Sequence, residues 1–180
     1  MTKMVVFDAT MFLLLISPNA SVPKNASDTP VTFAKERIDG LLYDLSKRHV
    51  TIIIPTPVLS EVFVRSDPSD AIAYVEKMRK SKNFKIEPFC ERAALEMALM
   101  TQRLIISNDK RGGSAYLWSK LKFDRQIISI AKAHSAPLIY TDDDKLAKFA
   151  RSNGIDTKSL IDLPIPDAAA QLDWINDAQE

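Results

Sequence analysis

The chain has 180 residues, 46% of them apolar, which suits one compact domain with a sizeable core. Its 24 basic and 23 acidic residues leave a formal net charge of +1, so only a local patch, not global charge, can favour a nucleic-acid partner. The lone Cys90 excludes an intramolecular disulfide and a cysteine-based zinc site, and His49 and His134 are too few for a His-rich metal centre.

Met4–Phe7 is a short, β-branched apolar run and predicts a buried strand that Asp8 ends. Lys3, Val5–Phe7 and Met11–Ile16 imitate a secretory leader, but Asp8 interrupts them. No run approaches the roughly 20 apolar residues of a spanning helix, so the expectation is a cytoplasmic protein without membrane association. Met11–Ile16 begins a helix. Ser17–Pro30 is a Ser, Pro, Asn and Asp-rich loop, whose Asn19-Ala-Ser21 and Asn25-Ala-Ser27 match glycosylation acceptors by chance. Thr32–Lys47 is helical by its spacing of Phe33, Ile38, Leu41, Leu42 and Leu45, despite Gly40.

Val50–Ile54 is a second buried strand. Thr56-Pro57 opens a helix that carries Glu61 and runs to about Arg65, with Thr56 as cap and proline in the first turn. Pro68–Lys80 is helical, Phe84–Glu87 a short strand and Glu91–Arg103 a helix. Ile105–Gly113 is a loop, and Tyr116–Leu121 fits no single pattern. Asp124–His134 is a helix with Ile127, Ile128, Ile130 and Ala131 facing in. Pro137–Tyr140 is a third clear strand, Asp142–Ser152 a helix stopped by Asn153-Gly154, and Ile155–Leu160 a last strand.

Strands alternating with helices predict an α/β fold, a three-layer α/β/α sandwich around a parallel sheet of four to five strands. Residues 1–163 form the domain. Residues 164–180 form an acidic tail that docks on the domain or at an interface through Leu172, Trp174 and Ile175.

Asp8, Glu61, Asp124 and the Asp142-Asp143-Asp144 run each lie where a strand hands over to a helix. In parallel α/β sheets the carboxyl ends of the strands converge on one crevice. Carboxylates meeting there repel one another unless a cation lies between them. A site of hard oxygen ligands without His or Cys suits Mg²⁺ or Mn²⁺, the apparatus for cutting phosphodiesters.

Each acid also has a bland explanation. Asp8 can cap the first helix, with Thr10 two residues on. Glu61 can pair with Arg65 on a wet face. Asp124 can cap its helix. Thr141 and Asp144 form a capping-box variant, which leaves Asp142 and Asp143 unexplained.

Together these segments resemble PIN-domain nucleases. Val5-Val6-Phe7-Asp8-Ala9-Thr10 is similar to the family's opening strand and aspartate. Ile54-Pro55-Thr56-Pro57-Val58-Leu59-Ser60-Glu61 is similar to its strand, proline and glutamate-bearing helix. Asp124 through Ala133, then Leu138-Ile139-Tyr140-Thr141-Asp142-Asp143, resemble its third and fourth elements. The resemblance covers roughly residues 4–160. It implies a PIN-like fold and a Mg²⁺- or Mn²⁺-dependent ribonuclease, of which the VapC-like toxins are one kind. It further implies a homodimer and, for a toxin, an antitoxin protein partner. Asp8, Glu61, Asp124 and Asp143 would be catalytic and metal-holding, with Asp142 as a further ligand candidate and Thr10 and Thr141 orienting ligands. The chain exceeds the usual length of such toxins.

RNA would also need positive charge beside the acids. Lys110, Arg111, Lys122 and Arg125 are the candidates, a solvated face being the alternative. Two rival functions remain. A haloacid-dehalogenase-type phosphatase also starts with a strand-ending aspartate, but it needs a second acid where Thr10 stands. A non-catalytic PIN-like scaffold would bind RNA or protein without cutting.

Overall fold

A computed structural model describes residues 3–17, 19–64, 67–106 and 118–166, leaving aside the side chains of Trp118 and Ser119. The elements in order are β1 (Met4–Phe7), α1 (Ala9–Ile16), α2 (Ala34–Lys47), β2 (Thr51–Pro55), α3 (Thr56–Phe63), α4 (Pro68–Lys80) and β3 (Phe84–Glu87). There follow α5 (Glu91–Ile106), α6 (Trp118–Ala133), β4 (Leu138–Tyr140), α7 (Asp144–Ser152), β5 (Asp156–Lys158) and a 3-10 turn at Leu160–Asp162.

All five strands are parallel, in the order β3-β2-β1-β4-β5. The chain builds outward from β1 to β2 and β3, then returns through α5 and α6 to the other side of β1. The β1/β4 junction is therefore where the direction of winding reverses, the place where an open α/β sheet leaves a crevice. Asp8 follows one of these strands and Thr141 the other. Val6 pairs with Ile139 and Phe7 with Tyr140, so both strands end at the same level.

The sheet is apolar on both faces. Val6, Phe7, Ile53, Ile54 and Ile139 have no exposed surface, and each such side chain contributes about 1.5–3 kcal/mol of burial. α1 packs on α2 and α3, while α6 packs on α5 and α7. This matches the continuous apolar runs of the sequence, which suit strands covered on both sides.

Gly40 lies within α2 because the returning chain crosses there. A Cβ at this position would come within 2.9 Å of the Pro166 ring. Arg37, one turn earlier, fastens the same segment by donating to the carbonyls of Ile161 and Leu163.

Three local expectations are corrected. α6 begins at Trp118, so Asp124 lies in its second turn and is not a cap. The cap of α7 is Asp143, whose Oδ1 accepts from Lys145 N and Leu146 N, in place of a Thr141–Asp144 box. α3 starts one residue early, with Pro55 in the cap position and Thr56 already helical.

Candidate active site

Asp8 is fixed first. It leaves β1 with extended backbone and caps α1, so Oδ1 accepts from Met11 N at 2.8 Å. Its other oxygen, Oδ2, accepts from the Thr141 hydroxyl at 2.5 Å. The side chain is only 4% exposed. Burial pushes its pKa up to about 7; the two hydrogen bonds oppose this, and the charges of Asp142 and Asp143 add to it.

Thr141 serves both strand ends, because its Oγ1 also accepts from Asp143 N at 3.0 Å. Asp143 thereby starts α7 next to Asp8. Burial raises the pKa of Asp143, but Lys120 and the N–H groups of Leu146 and Lys145 outweigh that and hold it below the ordinary range. Lys120 Nζ lies 2.8 Å from Asp143 Oδ2.

Asp124 approaches from α6. Burial pushes it up to about 6, and the charges of Asp143 and Glu61 push in the same direction, against Lys120 and Arg125. Glu61 is exposed on α3, which packs on α6. Asp8, Asp143, Asp124 and Glu61 thus form a chain of mutually repelling acids, drawn from the ends of β1 and β4 and from α6 and α3.

Asp142 is held differently. Its Oδ1 accepts from Leu160 N at 3.1 Å. Burial raises its pKa, the Leu160 contact lowers it, and Asp162 and Asp144 raise it further. Thr10 is half-buried in the first turn of α1. His134 Nε2 is 3.2 Å from Glu87 Oε2, outside this chain of acids.

The basic candidates divide. Lys122 is exposed on α6, two residues before Asp124. Arg125 is buried, 2% exposed, with its guanidinium 5.4 Å from the Phe149 ring centroid. Lys110, Arg111 and Arg65 lie outside the described residues. Lys120 went unrecognised as part of the site within a run of basic residues. The available signal was its position four residues before Asp124, hence on the same helical face.

The chain matches the PIN domain over residues 31–152. It belongs to the PIN-domain family. Solved structures that resemble this PIN domain include VapBC2 from Rickettsia felis bound to a DNA fragment from its promoter. There the TM-score is 0.57 at 16% identity, covering 87% of this chain and 98% of that one. DNA-bound VapBC from Salmonella typhimurium gives 0.54 at 16% identity, covering 89% and 99%. Tyrosyl-tRNA synthetase from Leishmania major, in complex with fisetin, gives 0.51 at 15% identity, covering 88% of this chain and 28% of that one. These likenesses are of fold, which recurs in a synthetase as well as in VapBC proteins. No curated protein matches in sequence.

The donor set of this PIN domain fits a hard divalent cation in its chemistry: carboxylates and a hydroxyl, with Asp8 and Asp124 both raised partly by neighbouring negative charge. Among the described residues, no three His, Cys, Asp or Glu side chains converge closely enough to hold one. Also among them, no helix is long and apolar enough to cross a membrane.

Proposed function

We propose that this PIN domain is a divalent-metal-dependent endoribonuclease that hydrolyses RNA phosphodiester bonds, with Asp8, Glu61, Asp124 and Asp143 as its working acids. The observation that carries the reading is Asp8: a carboxyl buried at the reversal point of the sheet, beside a second acid that shares its threonine. A structural cap has no need of a second carboxylate at its back, whereas a cation site does.

Asp8, Asp124 and Asp143 would hold Mg²⁺ or Mn²⁺, with Glu61 joining from α3. The cation supplies Lewis acidity toward the phosphate and lowers the pKa of the attacking water. Thr141 keeps Asp8 and Asp143 in one orientation. Lys122, exposed on α6, would meet the RNA backbone, with Lys110 and Arg111 as further phosphate contacts. Thr10 supports the ligands from α1. Asp142 is the weaker candidate for the fourth acid because its Oδ1 is held by Leu160 N and it has no bond to the threonine that Asp8 and Asp143 share, although its Oδ2 is buried without a hydrogen-bond partner.

The role of this PIN domain would be that of a toxin with an antitoxin partner or of an RNA-processing enzyme, and the likeness to VapBC structures is one of fold. Exposed Leu95 and Leu99 lie one turn apart on α5, with Ile106 continuing the stripe, and support assembly as a homodimer.

The test is incubation of the purified full chain with a mixed-sequence RNA panel in Mn²⁺, Mg²⁺ or EDTA, beside a small phosphomonoester. Metal-dependent RNA scission with the monoester untouched is the expected result. Monoester hydrolysis alone supports the phosphatase. A folded protein that binds RNA and leaves it intact in every metal supports the scaffold.

A further inference from the structure

We propose that Lys120 is a built-in counter-ion of the acidic cleft, which a divalent cation must displace to load the site. The inference rests on reading the four acids as a cation site, and adds a control on how that site fills. Asp143 has two oxygens with different duties. Oδ1 is committed to the first turn of α7 through Lys145 N and Leu146 N. Oδ2 is the one left for a ligand, and it is there that Lys120 Nζ lies, 2.8 Å away.

Lys120 also acts on Asp124, four residues along α6, whose carboxyl its charge stabilises in the ionised form. One ammonium therefore offsets repulsion between two acids from different elements. An ordinary exposed ion pair joins one carboxylate to one cation at a surface and is worth little. Lys120 instead pairs with Asp143, itself half-buried, and stands one helical turn from Asp124, which is 9% exposed. Its own side chain is 46% exposed, so it can swing into solvent without disturbing the core.

A +1 charge a few ångströms from a +2 ion opposes its entry even in water-like surroundings. Lys120 would then set the concentration at which the site loads. It would also keep the metal-free cleft from repelling itself apart.

The experiment is Mn²⁺ titration of the full chain without RNA, following free Mn²⁺ by electron paramagnetic resonance, for wild type, Lys120→Gln and Lys120→Arg. Lys120→Gln should bind Mn²⁺ roughly tenfold more tightly, and Lys120→Arg should stay within about threefold of wild type. In EDTA at neutral pH, Lys120→Gln should melt lower than wild type, and saturating Mn²⁺ should raise its midpoint by more. Binding seen only in Lys120→Gln would support the proposal even more strongly. Equal or weaker binding by Lys120→Gln overturns it while leaving the cation site standing. No Mn²⁺ bound by any of the three overturns the cation site, and this proposal with it.

Discussion

The Thr141 hydroxyl donates to Asp8 Oδ2 at 2.5 Å, tying residues 133 positions apart into one buried contact. The same oxygen accepts from Asp143 N, so a single side chain sets the relative position of two candidate ligands. Thr141→Val would strand a buried carboxylate oxygen and an amide hydrogen together. It should lower stability by about 2 kcal/mol in urea unfolding, and lower RNA cutting with it. Thr141→Ser, which keeps both hydrogen bonds, should restore most of each. Unchanged stability in the valine variant would contradict this role.

Asp8→Asn should remove cutting, by about a hundredfold or more, while making the metal-free fold more stable. An asparagine oxygen can still accept from Met11 N, and the variant removes the charge that burial, Asp142 and Asp143 all oppose. A gain of about 1 kcal/mol at neutral pH, a few degrees in melting temperature, is expected by calorimetry in EDTA. A variant that loses several degrees would contradict the strained-carboxyl account.

The same strain has a pH signature with a definite sign. Asp8 titrates at about 7 in the folded protein against 3.8 ordinarily, and Asp124 at about 6. Between these limits the folded state retains protons that the unfolded chain has released. The share of metal-free stability that depends on these two carboxyls should therefore be full below pH 4, fall as pH rises toward 7, and level off above that, while the depressed Asp143 acts with the opposite sign only at the acid end. Asp8→Asn should flatten the steeper part of this fall. Denaturation midpoints collected across the range in EDTA check both statements; a rise in stability over the same range would reverse the sign.

Much of this was legible in the sequence for a simple reason. Buried parallel strands must be apolar on both faces, so Met4–Phe7 declared itself to the residue, while the edge strand Phe84–Glu87 showed only the alternation of Phe84 and Ile86 with Lys85 and Glu87. Asp8 and Asp143 were visible because each follows a strand end closely. What escaped was geometry that depends on where a helix begins. Asp124 looked like a cap because the amphipathic pattern is clear only after it, yet α6 already runs from Trp118. That earlier start puts Lys120 on the helix, one turn before Asp124 and beside the acids. The choice between Asp142 and Asp143 was equally hidden, since adjacent residues differ in direction only once the strand end and Leu160 are placed.

Asp142 and Asp143 should separate by experiment. Asp142→Asn keeps an acceptor for Leu160 N and relieves a buried charge, so cutting should fall less than about threefold and the melting temperature should hold. Asp143→Asn should cost cutting about a hundredfold, in line with a residue that contributes directly to the reaction. Equal losses in both variants would make the pair act as a unit.

The exposed stripe on α5 yields a simpler test. Leu95 is 67% and Leu99 51% exposed, beyond what a lone surface leucine needs. Leu95→Glu combined with Leu99→Glu should convert a dimer into a monomer in sedimentation velocity without lowering its melting temperature much. A wild type that sediments as a monomer at high concentration would remove the homodimer.

The most direct measurement compares RNA cutting by wild type and Asp8→Asn, both verified as folded, with Mn²⁺ and with EDTA. The account predicts cutting only by the wild type and only with Mn²⁺. Equal cutting by Asp8→Asn, or wild-type cutting that survives EDTA, would contradict a nuclease centre built on the buried Asp8 carboxylate.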